Sequence, residues 1–156
     1  MDALTLLKTD HDKVKRLLAE LESTTERGVK TRTELFATIK GELTVHESIE
    51  EEIFYPALMD MAKTKDITLE AYEEHHVVDL LMGELESLDV TDETWGAKAK
   101  VMQENIEHHI EEEEGEMFEK TRQLFDEAEL EDLGRRMADR KAQLSRELGM
   151  PAPAAD

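Results

Sequence analysis

The sequence HESIEEEIFYP, from His46 to Pro56, combines a helical apolar pattern with two potential metal ligands. His46 and Glu50 are four residues apart, which places them roughly 40° apart on one face of an α-helix. A carboxylate on a buried face is costly unless it is paired or bound to a cation. The stretch therefore predicts a helix that presents a histidine and a glutamate to a common partner. The apolar residues that share this face at helical spacing are Leu35, Ile39, Leu43, Ile49, Ile53 and Ala57.

The chain also contains a twofold internal repeat. An offset of 64 residues aligns DHDKVKRLLAELE (Asp10–Glu22) with EHHVVDLLMGELE (Glu74–Glu86), and an offset of 63 aligns two His-x-x-x-Glu motifs. Two helix pairs, each with one histidine followed by such a motif, predict a pseudo-twofold four-helix bundle. The side chains predicted to meet in its interior are His11, His46, Glu50, His75, His109 and Glu113.

The composition predicts an all-α fold, because only three prolines and seven glycines interrupt 156 residues rich in Leu, Glu, Lys and Ala. We expect an up-down-up-down four-helix bundle over residues 1–125, a C-terminal helix packed on it or extending from it over 126–149, and a disordered tail over 150–156. The predicted helices run from Asp2 (N-cap) to Thr24–Thr25, from Thr31 or Thr33 through a kink at Pro56 to at most Met61, over Leu69–Leu88, from Thr91 or Asp92 to Phe118 or Phe125, and over Leu130–Leu148, with a linker at Lys63–Thr68.

Charge and cysteine content exclude several classes of function. A formal net charge of -20, from 19 basic and 39 acidic side chains, argues against nucleic acid and anionic membranes as partners, since both are bound by clustered Lys and Arg. Without cysteine, any metal must be held by nitrogen and oxygen. The stretch MDALTLLKTD lacks the features of a signal peptide, and no later stretch has the roughly 20 apolar residues of a membrane span. We therefore expect a soluble, cytoplasmic protein.

Several residues near the motifs have simpler interpretations. The acidic runs Glu50–Glu52 and Glu111–Glu114 are mostly a solvated face, since one position in each lies within about 40° of the preceding histidine. His76 is turned about 100° from its neighbouring ligand. Tyr55 and Tyr72 are expected to be packing residues, although either could place a phenol near the site.

The register of the fourth helix has an alternative. His108 and Glu112 have the same spacing as His109 and Glu113. The repeat and the apolar stripe on this helix favour the second pair. We therefore expect His109 and Glu113 to face the interior.

The predicted donors suit two transition-metal ions. Imidazole and carboxylate groups together suit iron, manganese, cobalt or zinc and are poor ligands for calcium or magnesium, which prefer oxygen. Two ions bridged by Glu50 and Glu113, with paired imidazoles at each end, would use all six groups and leave coordination positions open. A ferritin-type site is disfavoured, because it needs two Glu-x-x-His motifs and only Glu73–His76 has that spacing.

Four stretches together resemble the bacterial hemerythrin-like (HHE cation-binding) family: DHDKVKRLLAEL, HESIEEEIFYP, EEHHVVDLLMGEL and HHIEEEEGEMF. The resemblance implies a non-haem di-iron centre in an up-down four-helix bundle, with two iron ions joined by an oxo or hydroxo bridge and by the two glutamates. In the family's oxygen carriers, the diferrous centre binds dioxygen end-on and reduces it to a hydroperoxide that is released again as dioxygen. The implied ligands are His11, His46, Glu50, His75, His109 and Glu113.

The chain departs from those carriers at two positions. They have a further histidine one helical turn before the one that matches His75, where this chain has Ala71. Their last carboxylate is an aspartate five residues after its histidine, a position held here by Glu114, or by Glu113 if His108 is the ligand. These departures favour sensing, scavenging or detoxification of dioxygen, peroxide or nitric oxide over reversible carriage. An iron-responsive interaction protein without turnover is the alternative.

Overall fold

The computed structural model describes residues 1–151, which form helices and no strand. The helices are α1 (Ala3–Glu22), α2 (Val29–Ile49), α3 (Tyr55–Met59), α4 (Ala62–Ser87), α5 (Glu93–Glu112), α6 (Phe118–Leu124) and α7 (Glu127–Glu147). Two π-helical turns, Glu50–Phe54 and Glu113–Met117, join α2 to α3 and α5 to α6 without a break. Four antiparallel rods, α1, α2–α3, α4 and α5–α6, form the bundle, and α7 packs beside α1 and α2. The predicted all-α bundle with an added C-terminal helix is confirmed.

Aspartate caps begin three of the helices. Asp2 accepts a 2.8 Å hydrogen bond from a first-turn amide of α1, and Asp92 accepts one of 2.8 Å in α5, as the sequence predicts. At α7, Asp126 and Glu129 form a reciprocal capping box. This box begins the helix before the predicted Leu130.

The start of α2 differs from the prediction. The helix begins at Val29, ahead of Thr31 and Thr33, and a buried arginine in its first turn ties it to the segments that flank it in space. The guanidinium of Arg32 donates to two backbone carbonyl groups and lies 4.9 Å from the ring centre of Trp95. These contacts satisfy a charged group inside the core.

The predicted linker at Lys63–Thr68 is wrong, because these residues lie within α4. Thr64 and Thr68 are fully buried, and each hydroxyl donates a 2.7 Å hydrogen bond to a backbone carbonyl oxygen. The two threonines are therefore part of the helix's buried face. The preceding helix, α3, ends before the predicted limit at Met61.

The core consists of two apolar clusters with a polar layer between them. Each rod contributes residues to both clusters and one histidine to the layer. Within residues 1–151, no helix is long and apolar enough to cross a membrane. The first cluster includes Val14, Leu18, Ile39, Leu43, Val78, Leu85, Met102 and Ile106, and the second includes Leu4, Leu7, Ile49, Phe54, Tyr55, Ala71, Phe118 and Met137.

Helix α7 is held on the bundle by close packing and ion pairs. A Cβ atom on Gly134 would lie 2.3 Å from the carbonyl oxygen of Met1, so the chain's first residues pass directly against this glycine. Arg140 donates to both carboxylate oxygens of Glu52, at 2.6 and 3.1 Å. The predicted tail begins at Met150, whose amide donates to a carbonyl of α7 at 2.8 Å; residues 152–156 lie outside the described residues.

Candidate metal centre

The structure brings all six predicted donors together in the polar layer. Each has a relative exposure of 6% or less. The imidazoles form two pairs with edge-to-face rings: His11 with His46 at a centroid distance of 4.9 Å, and His75 with His109 at 4.8 Å. Each pair comes from one half of the sequence repeat, so the repeat becomes an approximate twofold axis through the site.

Each of the two glutamates contacts one imidazole from each pair. Glu50 Oε1 lies 2.7 Å from His46 Nε2 and 3.5 Å from His75 Nε2. Glu113 Oε1 lies 3.1 Å from the Nε2 atom of His11, and Oε2 lies 3.2 Å from that of His109. Both carboxylates are thus shared between the two imidazole pairs, which is the arrangement that bridging ligands require.

Several of these atoms have no hydrogen-bond partner among the described residues. Buried polar atoms are almost always satisfied in native proteins, and orphans call for an explanation. All of these atoms are good ligands for a transition-metal ion. The donor set therefore fits bound cations. The orphaned atoms are Nε2 of His11 and His46, both carboxylate oxygens of Glu50, and Oε1 of Glu113.

Without a cation, the imidazoles and carboxylates hold one another charged. Burial alone would raise the pKa of Glu113, but the imidazole of His109 holds it well below its usual value. Burial alone would lower the pKa of His46, yet Glu50 and Asp10 raise it well above the ordinary value. The pKa of His75 rises to about 9, against the effect of burial, because it bonds to Glu50 and Glu51. The layer carries compensated charge, as a buried ionic site must.

The outer nitrogen of every imidazole has its own carboxylate partner. The Nδ1 atoms lie next to oxygens of four different acidic residues, so with cations bound each Nδ1 would keep its proton and each Nε2 would present its lone pair to the centre. The contacts are His11 with Glu114 at 2.9 Å, His46 with Asp10 at 3.0 Å, His75 with Glu51 at 3.3 Å and His109 with Glu74 at 2.8 Å.

Sequence reasoning missed these four carboxylates. Glu51 and Glu114 lie in acidic runs that were expected to be mostly a solvated face, and both are only partly buried. The repeat did contain a signal, because Asp10 aligns with Glu74 at the 64-residue offset and Glu51 with Glu114 at the 63-residue offset. The outer partners follow the same approximate twofold symmetry as the inner ligands.

Tyr55 enters the site because of a π-helical turn. Its hydroxyl donates a 2.6 Å hydrogen bond to Oε2 of Glu113 and lies 3.3 and 3.4 Å from the Nε2 atoms of His75 and His109. Tyr55 lies five positions after Glu50, and in an α-helix this spacing would turn the two side chains about 140° apart. The turn instead closes with a bond from the Tyr55 amide to the Glu50 carbonyl, and both side chains face the centre.

Tyr55 is more deeply buried than Tyr72, the other tyrosine near the site. Burial, with Glu113 and Glu50 nearby, raises the pKa of Tyr55 well above its usual value. Tyr72 packs edge-on against the Tyr55 ring at 5.2 Å and is half-buried. Ala71 is buried in the same apolar cluster as Tyr55.

The fourth rod has the register that the repeat favours. His109 and Glu113 face the interior, whereas the side chains of His108 and Glu112 are 63% and 36% exposed. His76 is exposed as well. His109 and Glu113 are therefore the two residues that this rod contributes to the polar layer.

A cavity of about 20 Å³ lies against the imidazoles on the side opposite Tyr55. This volume is close to the space that one water molecule occupies. Glu47 lies on its wall, and burial raises the pKa of this carboxyl to about 9. The other lining residues are His11, Val14, Leu43, His46, His75, Val78, Ile106, His109 and Ile110.

Comparison with known proteins agrees with this geometry. The model of the Hemerythrin HHE cation binding domain matches residues 2–121. A crystal structure of a hemerythrin HHE cation binding domain-containing protein from Mycobacterium kansasii superposes with a TM-score of 0.84, at 26% identity, over 94% of this chain and 89% of that one. A protein from Nostoc sp. described as a DNA nickase is 23% identical over 155 residues; the match covers 99% of this chain but 43% of that protein. This chain belongs to the hemerythrin HHE cation binding domain family.

Proposed function

We propose that the chain is a non-haem di-iron protein that binds dioxygen, peroxide or nitric oxide at the centre, for sensing, scavenging or detoxification. The observation that carries this proposal is the sharing of Glu50 and Glu113 between two imidazole pairs. Two clusters of three donor atoms, each within 4.8 Å of one another, follow from it: His11, His46 and Glu113 in one, and Glu50, His75 and His109 in the other.

Two cations suit this arrangement better than one. Each cluster supplies two imidazoles and one carboxylate, and the second carboxylate of each ion would come from the glutamate of the other cluster. Nitrogen and oxygen donors in this ratio suit iron, manganese, cobalt or zinc, and we propose iron because the motifs resemble those of hemerythrin-like di-iron proteins. When bound, an iron pair would supply the electron transfer to and from a small molecule that the side chains cannot supply.

The size of the cavity supports a very small ligand. A volume of about 20 Å³ has room for little more than one water molecule, which limits the ligand to a few atoms, as in dioxygen, nitric oxide or peroxide. Its aliphatic wall, with residues such as Val14, Leu43 and Ile106, keeps bulk water out of the polar layer.

Tyr55 favours turnover over reversible carriage. Its hydroxyl lies beside the His75 and His109 pair, in the half of the centre that contains Ala71 in place of the carriers' further histidine. Tyr55 Oη holds a proton that it donates to Glu113 Oε2. A proton held there can be passed to a reduced oxygen atom, which supports consumption of peroxide as the activity to test first.

The spectrum of the loaded protein provides the test. The protein is reduced and filled with ferrous iron without oxygen, its iron content is measured, and dioxygen, peroxide and nitric oxide are added in turn. We expect about two irons per chain and a change in the spectrum with at least one of the three molecules. A single tightly held zinc ion, with no uptake of iron, would refute the di-iron proposal.

We infer that this chain does not share the activity named for the Nostoc protein. The chain corresponds to less than half of that protein, and its net charge of -20 opposes binding to a polyanion. We propose that neither nucleic acid nor a membrane is a partner. We also propose a cytoplasmic location, with which the absence of cysteine is consistent.

A further inference from the structure

His46 differs from the other three imidazoles in the burial of its outer partner. The side chain of Asp10 is 6% exposed, whereas those of Glu51, Glu74 and Glu114 are 39%, 19% and 21% exposed. Water can solvate the three glutamates in part. Asp10 must obtain its stabilisation from protein groups.

The group that stabilises Asp10 comes from the C-terminal helix. Nζ of Lys141, on α7, donates to Oδ1 of Asp10, while Oδ2 accepts from Nδ1 of His46 at 3.0 Å. A chain of ammonium, carboxylate and imidazole therefore runs from α7 through α1 to α2 and ends at the centre. The side chain of Lys141 is 19% exposed, so solvent screens this pair only partly.

The other outer carboxylates have weaker support of this kind. Lys8 lies 3.6 Å from Glu114, but its side chain is 57% exposed and it also bonds to Asp12. Exposed pairs of this type contribute little. No lysine therefore fixes Glu114, the partner of His11, as firmly as Lys141 fixes Asp10.

Loss of the ammonium group would leave Asp10 as a buried carboxylate with one neutral donor. Such a group is costly, and it either turns toward water or takes up a proton. In both cases the Nδ1 proton of His46 loses its acceptor, and the ring loses the bond that fixes its orientation and tautomer. Lys141 lies outside residues 2–121, the part of the chain that the family model matches.

We propose that Lys141 is a positioning residue of the metal centre: through Asp10 it holds His46 in place and sets the affinity of the half formed by His11, His46 and Glu113. This inference rests on the proposal that the centre binds two ions. Helix α7 then contributes to metal binding, through Lys141, in addition to packing against the bundle.

The experiment measures the two iron affinities separately. Protein filled anaerobically with ferrous iron is titrated with a coloured ferrous chelator, and the two binding constants are obtained for wild type, Lys141→Met, Lys141→Arg and Arg140→Met. We expect Lys141→Met to lower the affinity for one of the two ions by about 10- to 100-fold, as loss of other hydrogen-bond partners of metal ligands does. The affinity for the second ion should be unchanged. Lys141→Arg retains the charge and should retain both affinities.

Arg140→Met is the matched control. It removes the neighbouring ion pair between α7 and the bundle, with Glu52, but none of the three groups in the Lys141 chain. Equal losses in Arg140→Met and Lys141→Met would assign the effect to docking of the helix and overturn the inference. Circular dichroism checks folding; if Lys141→Met unfolds, Lys141→Gln replaces it with the same expected result.

A double-mutant cycle tests the route through Asp10. Asp10→Asn alone should lower the affinity for the same ion. In a protein that already carries Asp10→Asn, Lys141→Met should cause no further loss of affinity. Additive losses would show that Lys141 acts by another route, which overturns the inference and leaves the proposed function standing. A wild-type protein that holds fewer than two irons would instead overturn the proposed function and this inference with it.

Discussion

The hydroxyl of Tyr55 donates a hydrogen bond of 2.6 Å to the carboxylate of Glu113, a residue from the other half of the repeat. Phe118 stands at the equivalent position of the second half and has no hydroxyl. It stacks on the imidazole of His11 with ring centroids 6.3 Å apart. The centre is therefore symmetric in its six donors and asymmetric in its aromatic neighbours. Of the two matching aromatic residues, Tyr55 has a hydroxyl and Phe118 does not.

Replacement of Tyr55 by Phe tests the role of that phenol. Tyr55→Phe keeps the ring and should keep both cations, but it removes the proton from the vicinity of Glu113. We expect peroxide consumption to fall by about 100-fold or more, as is typical when a general acid is lost. Iron content and oxygen evolution from peroxide are the measurements. Tyr72→Phe is the control and should behave like wild type; equal activity of Tyr55→Phe and wild type would exclude a role for the phenol.

The two glutamate positions of the fourth rod should respond differently. Glu113→Ala removes a fully buried carboxylate shared by two imidazoles and should abolish retention of the cations, because the cations lose a ligand and the negative charge that offsets their own inside the bundle. Glu112→Ala changes a partly exposed group and should retain both. Metal analysis after gel filtration decides the matter. Equal loss of iron from the two variants would mean that the side chains of this rod do not hold the cations as proposed.

Removal of the cations should lower thermal stability, since ions that bind only the folded chain stabilise it by mass action. At a free cation concentration of about 1,000 times the dissociation constant the gain is roughly 4 kcal/mol, or about 10 °C in the unfolding midpoint for a chain of this size. Calorimetry with and without a chelator measures the shift. The midpoint of a Glu50→Ala, Glu113→Ala double variant should not respond to the chelator.

Two glycine positions test the docking of α7. An added methyl at Gly134 would meet backbone atoms of residues 1–3 at 2.3 to 2.7 Å, so Gly134→Ala should reduce the free energy of unfolding by about 1–3 kcal/mol. Gly83→Ala is the control: nothing lies within 4 Å of the new methyl in α4, and it should stabilise by about 0.5–1 kcal/mol. Urea denaturation measures both changes. A neutral Gly134→Ala would show that the start of the chain is not held against α7.

Because of the repeat, the four rods and the six inner residues could be predicted from the sequence. Apolar positions at three and four residue spacing define each buried face, and four histidines in register mark one layer. The stretch at Lys63–Thr68 was misread because its polar residues resemble a linker. Thr64 and Thr68 can be buried there because their hydroxyls bond to the backbone, a compensation that a hydropathy pattern does not reveal.

The outer residues were harder to predict for a different reason. Glu51 and Glu114 belong to acidic runs in which any member could face solvent, and only the folded geometry shows which oxygens reach an Nδ1 atom. Lys141 contacts Asp10 across 131 positions of sequence, and it lies outside the repeat. No local pattern encodes such a contact.

The position of the π-helical turns also bears on the ancestry of the chain. A π-helical turn has one more residue than an α-helical one, so it absorbs an inserted residue while the helix beyond it keeps its phase. Here the extra residue occurs twice, just after Glu50 and just after Glu113, at corresponding places in the two halves. Proline did not cause it, because Pro56 follows the first turn and Glu119 occupies the matching place after the second. A single ancestral helix pair that already contained the insertion, and was then duplicated and fused, accounts for both copies.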